Sequence, residues 1–320
     1  WKAVCRVTML GLAAAAVAAA PLAADAAESF PSKPIVIYVG SAAGSPVDLY
    51  ARKIAKLAEP YLKVPVQVQN REGGSSTIAM SAMLAQPADG YTLYGATRSI
   101  TTVLVERDTG FTVEDFAYIV RSQVDPFVFA VPGSSPFKTL EEFVAAAKRQ
   151  PGKFKVAGFG SGTPHHIAMQ RFAQVAGFTY GWIPYDGGSA ATAAAMGGHV
   201  DAVMTNPGQL RGKGNRIRGL AVTNPERIPS FPDIPTMREL GYPVTDLHWR
   251  GLVTKKGVPA DRLEILHQAF KKAMETKEWE DFTEQQGQLS GYLDPKAFMQ
   301  AAIEDTIDAR AMLQRFGLIK

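Results

Sequence analysis

The chain is poor in the residues that staple small secreted scaffolds or bind metals. Its 320 residues include a single cysteine, Cys5, and five histidines. Cys5 falls in an N-terminal segment that reads as removable, so neither a disulfide framework nor thiol chemistry is left, and the fold must rest on its core. His165 and His166 are adjacent and would diverge by about 100° on a helix, whereas His199, His248 and His267 are scattered, so metal-ligand spacing is missing. Asp108, Asp115 and Asp125 show no paired-carboxylate arrangement. The formal charge is only +4, without basic runs, which argues against a nucleic-acid binder and permits an acidic ligand.

Catalytic and nucleotide signatures are also lacking. Ser161 in GFGSG misses the G-x-S-x-G spacing of a hydrolase elbow, and no Asp and His follow it in a defensible triad order. Gly158, Gly160 and Gly162 miss the dinucleotide spacing, and no phosphate loop with its lysine occurs. No cofactor and no enzymatic activity are therefore expected.

What is present begins with an export pattern. Lys2 and Arg6 precede an apolar run from Val7 to Leu22 and the small triplet Ala24-Asp25-Ala26. This is the order of a secretory signal peptide over residues 1–26, with a periplasmic mature protein. The run is short and mostly alanine, below the roughly 20 strongly apolar residues of a spanning helix. Removing two positive charges and one negative leaves a formal +3.

After residue 30, β-rich runs such as PIVIYVG, VPVQVQN, FKVAGF and HVDAVMT alternate with amphipathic stretches such as PVDLYARKIAKLAEPYL. Repeated strand-then-helix order predicts an α/β protein with parallel-rich sheets flanked by helices. The length favours two domains. Crossing points near 121–129 and 243–251 give a discontinuous first domain, 27–125 plus 248–320 with its C-terminal helices, and a second, 126–247, with a ligand cleft between them.

Four strand-to-helix loops share one composition. In VGSAAGSPVDLYAR, Ser45 is the expected N-cap, Pro46 fits the first helical turn and Asp48 resembles the acidic member of a capping box. NREGGSSTIAM offers Ser75, Ser76 or Thr77, GFGSGTPHHIAM offers Thr163 ahead of Pro164, and YDGGSAATAAAMGG starts at Ser189. Helix N-termini carry unpaired amides and partial positive charge, so four of them at the carboxyl edges of parallel strands point to a cleft for a small anion. Arg98, at a strand end, is a candidate bidentate partner for a carboxylate. Phe159, Trp182, Tyr185 and Trp249 read either as core or as the lining of an aromatic-acid pocket.

The segments FPSKPIVIYVG, PADGYTLYGAT, PFKTLEEFVAAAK, PGKFKVAGFGSGTPHHIA, IPYDGGSAATAAAMGGHVDAVMTN and PDIPTMRELGYP occur in an order and spacing that resembles the Bug-type receptors of tripartite tricarboxylate transporters. The resemblance implies a two-domain Venus-flytrap, type II-like periplasmic binding protein. It would close on a small carboxylate, a di- or tricarboxylate or an aromatic acid, and deliver it to membrane permease subunits. A sensor protein in place of the permease and an exported hydrolase are the alternatives, and monomer is the default. Carried over by position, the implied ligand-binding residues are Ala43, Gly44, Ser45 and Asp48; Gly74, Ser75 and Ser76; Gly162, Thr163 and His166; Tyr185, Gly187, Ala190 and Ala191; and Asp201 beside the cleft. Departures from the usual pattern are Ser45 and the GGSS of the second loop in place of glycines, Asp186 where lysine is common, and Arg250 where a neutral residue is common.

Overall fold

Two mixed β-sheets, each covered by helices, are built from alternating β and α segments in a computed structural model that describes Trp1 and residues 29–320. The signal-peptide reading falls on residues 1–26 and so lies almost entirely outside the described residues. The first sheet contains β1 (Ile35–Val39), β2 (Val66–Asn70), β3 (Thr92–Thr97), β4 (Phe116–Pro126), β10 (Leu247–Lys255) and β11 (Leu289–Leu293). Its order is β11-β4-β10-β3-β1-β2, with β2, β1 and β3 parallel and β10 antiparallel to both of its neighbours.

The second sheet has β5 (Val128–Pro132), β6 (Lys155–Phe159), β7 (Gly181–Tyr185), β8 (Ala202–Thr205) and β9 (Ile217–Val222), in the order β7-β6-β8-β5-β9. Here β7, β6 and β8 are parallel and β5 is antiparallel to both β8 and β9. The chain leaves the first sheet at Phe127 and returns to it through residues 223–246.

The helices are α1 (Pro46–Leu62), α2 (Thr77–Leu84), α3 (Ser99–Glu106), α4 (Leu140–Arg149), α5 (Pro164–Ala176), α6 (Gly188–Met196), α7 (Ala260–Met274), α8 (Lys277–Gln285) and α9 (Pro295–Arg315). Tyr38, Tyr94, Tyr118, Trp249 and Val253 pack on Met80, Met83, Val103 and Phe298, burying one face of the first sheet under α2, α3 and α9. Alternate residues Ile35, Ile37 and Val39 are also fully buried, as a sheet covered on both faces requires.

Pleating sorts the second sheet by size. Phe129, Val131, Val156 and Met204 pack on Phe143, Met169 and Phe172 of α4 and α5. Ala130, Ala157 and Val203 meet Ala191, Ala194 and Ala195 of α6, whose run of alanines lets that helix lie close. Trp249 and Trp182 thus serve packing: Trp249 is buried edge-on to Phe298, and Trp182 lies against the core.

Candidate functional site

The loops after β1, β2, β6 and β7 lead directly into α1, the turn ahead of α2, α5 and α6. Within each parallel set they leave the same carboxyl edge. The two edges belong to regions in contact: Ile167 of α5 packs with Val105, Met312 and Leu313, and the Glu106 carboxylate lies against Gly162.

In the first loop Ser45 caps α1, its hydroxyl accepting from the Asp48 amide and lying 2.6 Å from Ser41 Oγ. Asp48 has a different role from the one expected. Its buried carboxylate accepts from the Gly44 amide at 2.8 Å, Arg52 Nε at 3.0 Å and Asn70 Nδ2 at 2.9 Å. Burial pushes its pKa up, but Arg52, the Gly44 N–H and Asn70 together prevail and hold it below the ordinary carboxylate value. Asp48 therefore organises the loop, and the Gly44 amide is spent on it. Ala43 and Gly44 are exposed at the tip. Asn70 also donates to the Ser41 carbonyl, a role that only its place at a strand end ahead of a glycine-rich loop signals in the sequence.

The second loop is wound left-handed over four consecutive residues, with φ of 113° at Gly73, 58° at Gly74, 54° at Ser75 and 77° at Ser76. Two of these carry side chains, which costs free energy at such angles and is kept only where surroundings over-determine it. Ser76 donates to the Gly40 carbonyl, joining the second loop to the first, and Ser75 Oγ accepts from Arg107 at 3.2 Å.

In the third loop Thr163 caps α5 and donates to the Phe159 carbonyl, while Gly162 N–H donates to His166 Nδ1 at 3.2 Å. His166 stacks on Trp182 with ring centroids 4.5 Å apart, and Trp182 Nε1 donates to the Gly160 carbonyl. Gly158 is required here, because a Cβ would strike the Trp182 ring. Burial lowers the pKa of both His165 and His166 to about 4, so both rings are neutral at neutral pH.

The fourth loop begins α6 at Gly188 with Gly187 as cap, one residue before the expected Ser189. Tyr185 and Gly187 are partly exposed, Ala190 is exposed and Ala191 is buried in the core behind them. Asp186 is exposed.

Two expected site residues are placed elsewhere. Asp201 precedes β8, where its carboxylate accepts from the Lys155 amide at 2.7 Å. Both groups stand at the amino-terminal edge of the second sheet, opposite the loops, so Asp201 is not a cleft residue. Arg98 is not offered to a ligand: its guanidinium lies 3.0 Å from Asp305, 3.3 Å from Asp308 and 3.5 Å from Asp246, and donates to the Leu247 carbonyl. Arg250 is buried and paired with Asp125. Among the described residues no cluster of metal-binding side chains is found.

The sequence over residues 50–318 matches the family model described as tripartite tricarboxylate transporter family receptor. The chain belongs to this family. A curated relative from Cupriavidus necator, the UPF0065 protein in the gbd 5' region, is 32% identical over 96% of this chain and 94% of its own. The solved structure of a TctC solute-binding protein from Polaromonas, 27% identical, covers 90% of this chain and all of its own with a TM-score of 0.72. The same fold, at 22% identity and a TM-score of 0.84, occurs in R. palustris Rpa4515 with adipate, over 90% of this chain and 98% of that one. The protein is accordingly a solute-binding receptor and not an enzyme, in agreement with the missing catalytic signatures.

Proposed function

We propose that this receptor captures a small carboxylate in the periplasm by closing two lobes and delivers it to the membrane subunits of a tripartite tricarboxylate transporter. The lobes are residues 27–125 with 248–320, and 126–247. The observation that carries the reading is that four glycine-, serine- and threonine-rich helix starts leave the carboxyl edges of two parallel strand sets, with α5 of one set packed on α3 and α9 beside the other, an arrangement suited to an anion.

The ligand contacts proposed are the exposed tip at Ala43, with Ser45; Ser75 and Ser76; the Gly162–Thr163 turn with His166; and Tyr185, Gly187 and Ala190. Asp48 and Asn70 would hold the first loop in shape. Closure then follows from the ligand bridging both edges, which lowers the free energy of the closed form relative to the open one. The adipate held by the R. palustris protein of the same fold supports a carboxylate ligand.

A thermal-shift screen of the refolded receptor against carboxylates, amino acids and sugars tests this reading. A ligand at about a hundred times its dissociation constant adds roughly 2.7 kcal/mol, worth a rise of a few degrees for a chain of this size. Shifts confined to carboxylates are expected. Shifts produced only by neutral sugars or cationic solutes would refute it.

A further inference from the structure

Five buried polar atoms gather between the two halves of the molecule without partners: Gln123 Oε1 on β4, His165 Nδ1 in the first turn of α5, Asn206 Nδ2 just past β8, and His248 Nδ1 and Arg250 Nε on β10. They form one neighbourhood. The His165 and His248 ring centroids are 5.9 Å apart, and both rings flank Phe127. His165 Nε2 lies 3.2 Å from Asn206 Oδ1, and Gln123 donates to Asp125, which holds Arg250. Its position is at the level of the loops: Arg250 pairs in register with Thr97 at the carboxyl end of β3, and Asn206 follows the carboxyl end of β8. Buried polar groups without partners are costly, so five in one place call for an occupant.

The donor and acceptor pattern narrows what that occupant is. Asn206 Oδ1 accepts from His165 Nε2–H, so the Nδ1 of that neutral ring is an acceptor, as is Gln123 Oε1. Asn206 Nδ2 and Arg250 Nε are donors. The charge of Arg250 is cancelled by Asp125, and that of Arg98 is taken up by aspartates. A second carboxylate would meet acceptors and the Asp125 charge, and a saturated chain end would satisfy none of these atoms. A hydroxyl both donates and accepts.

We propose that Gln123, His165, Asn206, His248 and Arg250 form a polar subsite for the uncharged hydroxyl end of the ligand, making the protein a receptor for hydroxy-substituted carboxylates. This rests on the carboxylate-receptor reading above. Because the subsite is shared between β4 and β10 on one side and α5 and β8 on the other, parting the two halves exposes it and closing them seals the hydroxyl inside.

Titration calorimetry of the purified receptor with hydroxy-terminated acids, dicarboxylates and unsubstituted monocarboxylates of matched chain length, from the succinate to the adipate length, provides the test. The hydroxy acid is expected to bind about tenfold tighter or better than its unsubstituted analogue, since a site built for a hydroxyl rejects the analogue lacking it. Asn206→Ala and His248→Phe are expected to weaken the hydroxy acid about tenfold, and more than they weaken the unsubstituted acid; Asn206→Ala alone suffices if the second variant does not fold. Dicarboxylates or unsubstituted acids binding as tightly as hydroxy acids would overturn the subsite while leaving the receptor reading intact, as would equal losses for all three classes in the variants. Failure of every carboxylate to bind would overturn both.

Discussion

Arg171 of α5 and Asp308 of α9 are joined by a contact of 2.7 Å between helices that belong to different sheets. The same guanidinium reaches Asp246, in the segment that returns to the first sheet, at 3.0 Å, and Arg98 reaches both of these aspartates from the end of β3. A five-membered ionic network of Arg98, Arg171, Asp246, Asp305 and Asp308 thus links elements of the two sheets beside the apolar contact of Ile167 with Met312 and Leu313.

Asp308→Asn should loosen this tie without emptying the core. The side chains of Arg171 and Asp308 are 29% and 42% exposed, so screening limits the pair to at most about 1 kcal/mol. Ligand affinity is expected to fall about two- to fivefold, because less of the population rests in the binding-competent form. The unliganded radius of gyration in small-angle scattering should rise. An unchanged radius together with unchanged affinity would remove the network from the control of closure.

Acid should weaken the fold through its buried histidines. His165 and His166 have folded pKa values near 4, below the unfolded value near 6.5, because burial disfavours the charged ring. The unfolded state then binds more protons between these values. Their stabilisation is complete above about pH 6.5 and declines as pH falls toward 4, by roughly 3 kcal/mol for each ring over the full interval. His248 acts in the same direction. The urea midpoint, followed from pH 7 to pH 4, should drop steeply, and a His166→Gln variant should show a shallower slope. Equal slopes in the variant and the parent would assign the acid sensitivity to other groups.

Ser75→Gly should stabilise the protein. Ser75 has a φ of 54° and an exposed side chain that accepts a hydrogen bond from Arg107. Relieving the left-handed strain is worth about 1–2 kcal/mol, offset by the greater freedom of glycine in the unfolded chain, so a net gain of up to about 1 kcal/mol is expected. Ser75→Val should destabilise, since a β-branched residue tolerates this φ least. Denaturant midpoints that rank the valine variant above the glycine one would show that the turn relaxes at no cost.

The legible parts of the fold were those governed by local physics. Apolar runs such as those of β1, β2, β6 and β8 stand out, as do the caps Ser45 and Thr163, each followed by a proline. β4 reads in sequence only as a crossing segment, because Arg121, Ser122, Gln123 and Asp125 interrupt its apolar pattern. Ser122 and Asp125 are tolerated in the interior because Tyr50 and Arg250 pair with them there, and neither partner is near in sequence. The short β11 forms against β4 with an irregular register, and no periodicity announces it.

By itself the sequence determined the order of strands and helices, the small-residue loops between them, and through those the receptor family, because turn, cap and packing chemistry are written in consecutive residues. Only the tertiary structure decided which charges are free. Asp48 reads as a ligand contact until Asn70 and Arg52 are seen around its carboxylate, and Arg98 reads as an anion clamp until three aspartates from distant segments surround it. The reason is physical: a charge is spent or offered according to what lies within a few ångströms, and those neighbours are set by sheet order and helix packing rather than by position along the chain.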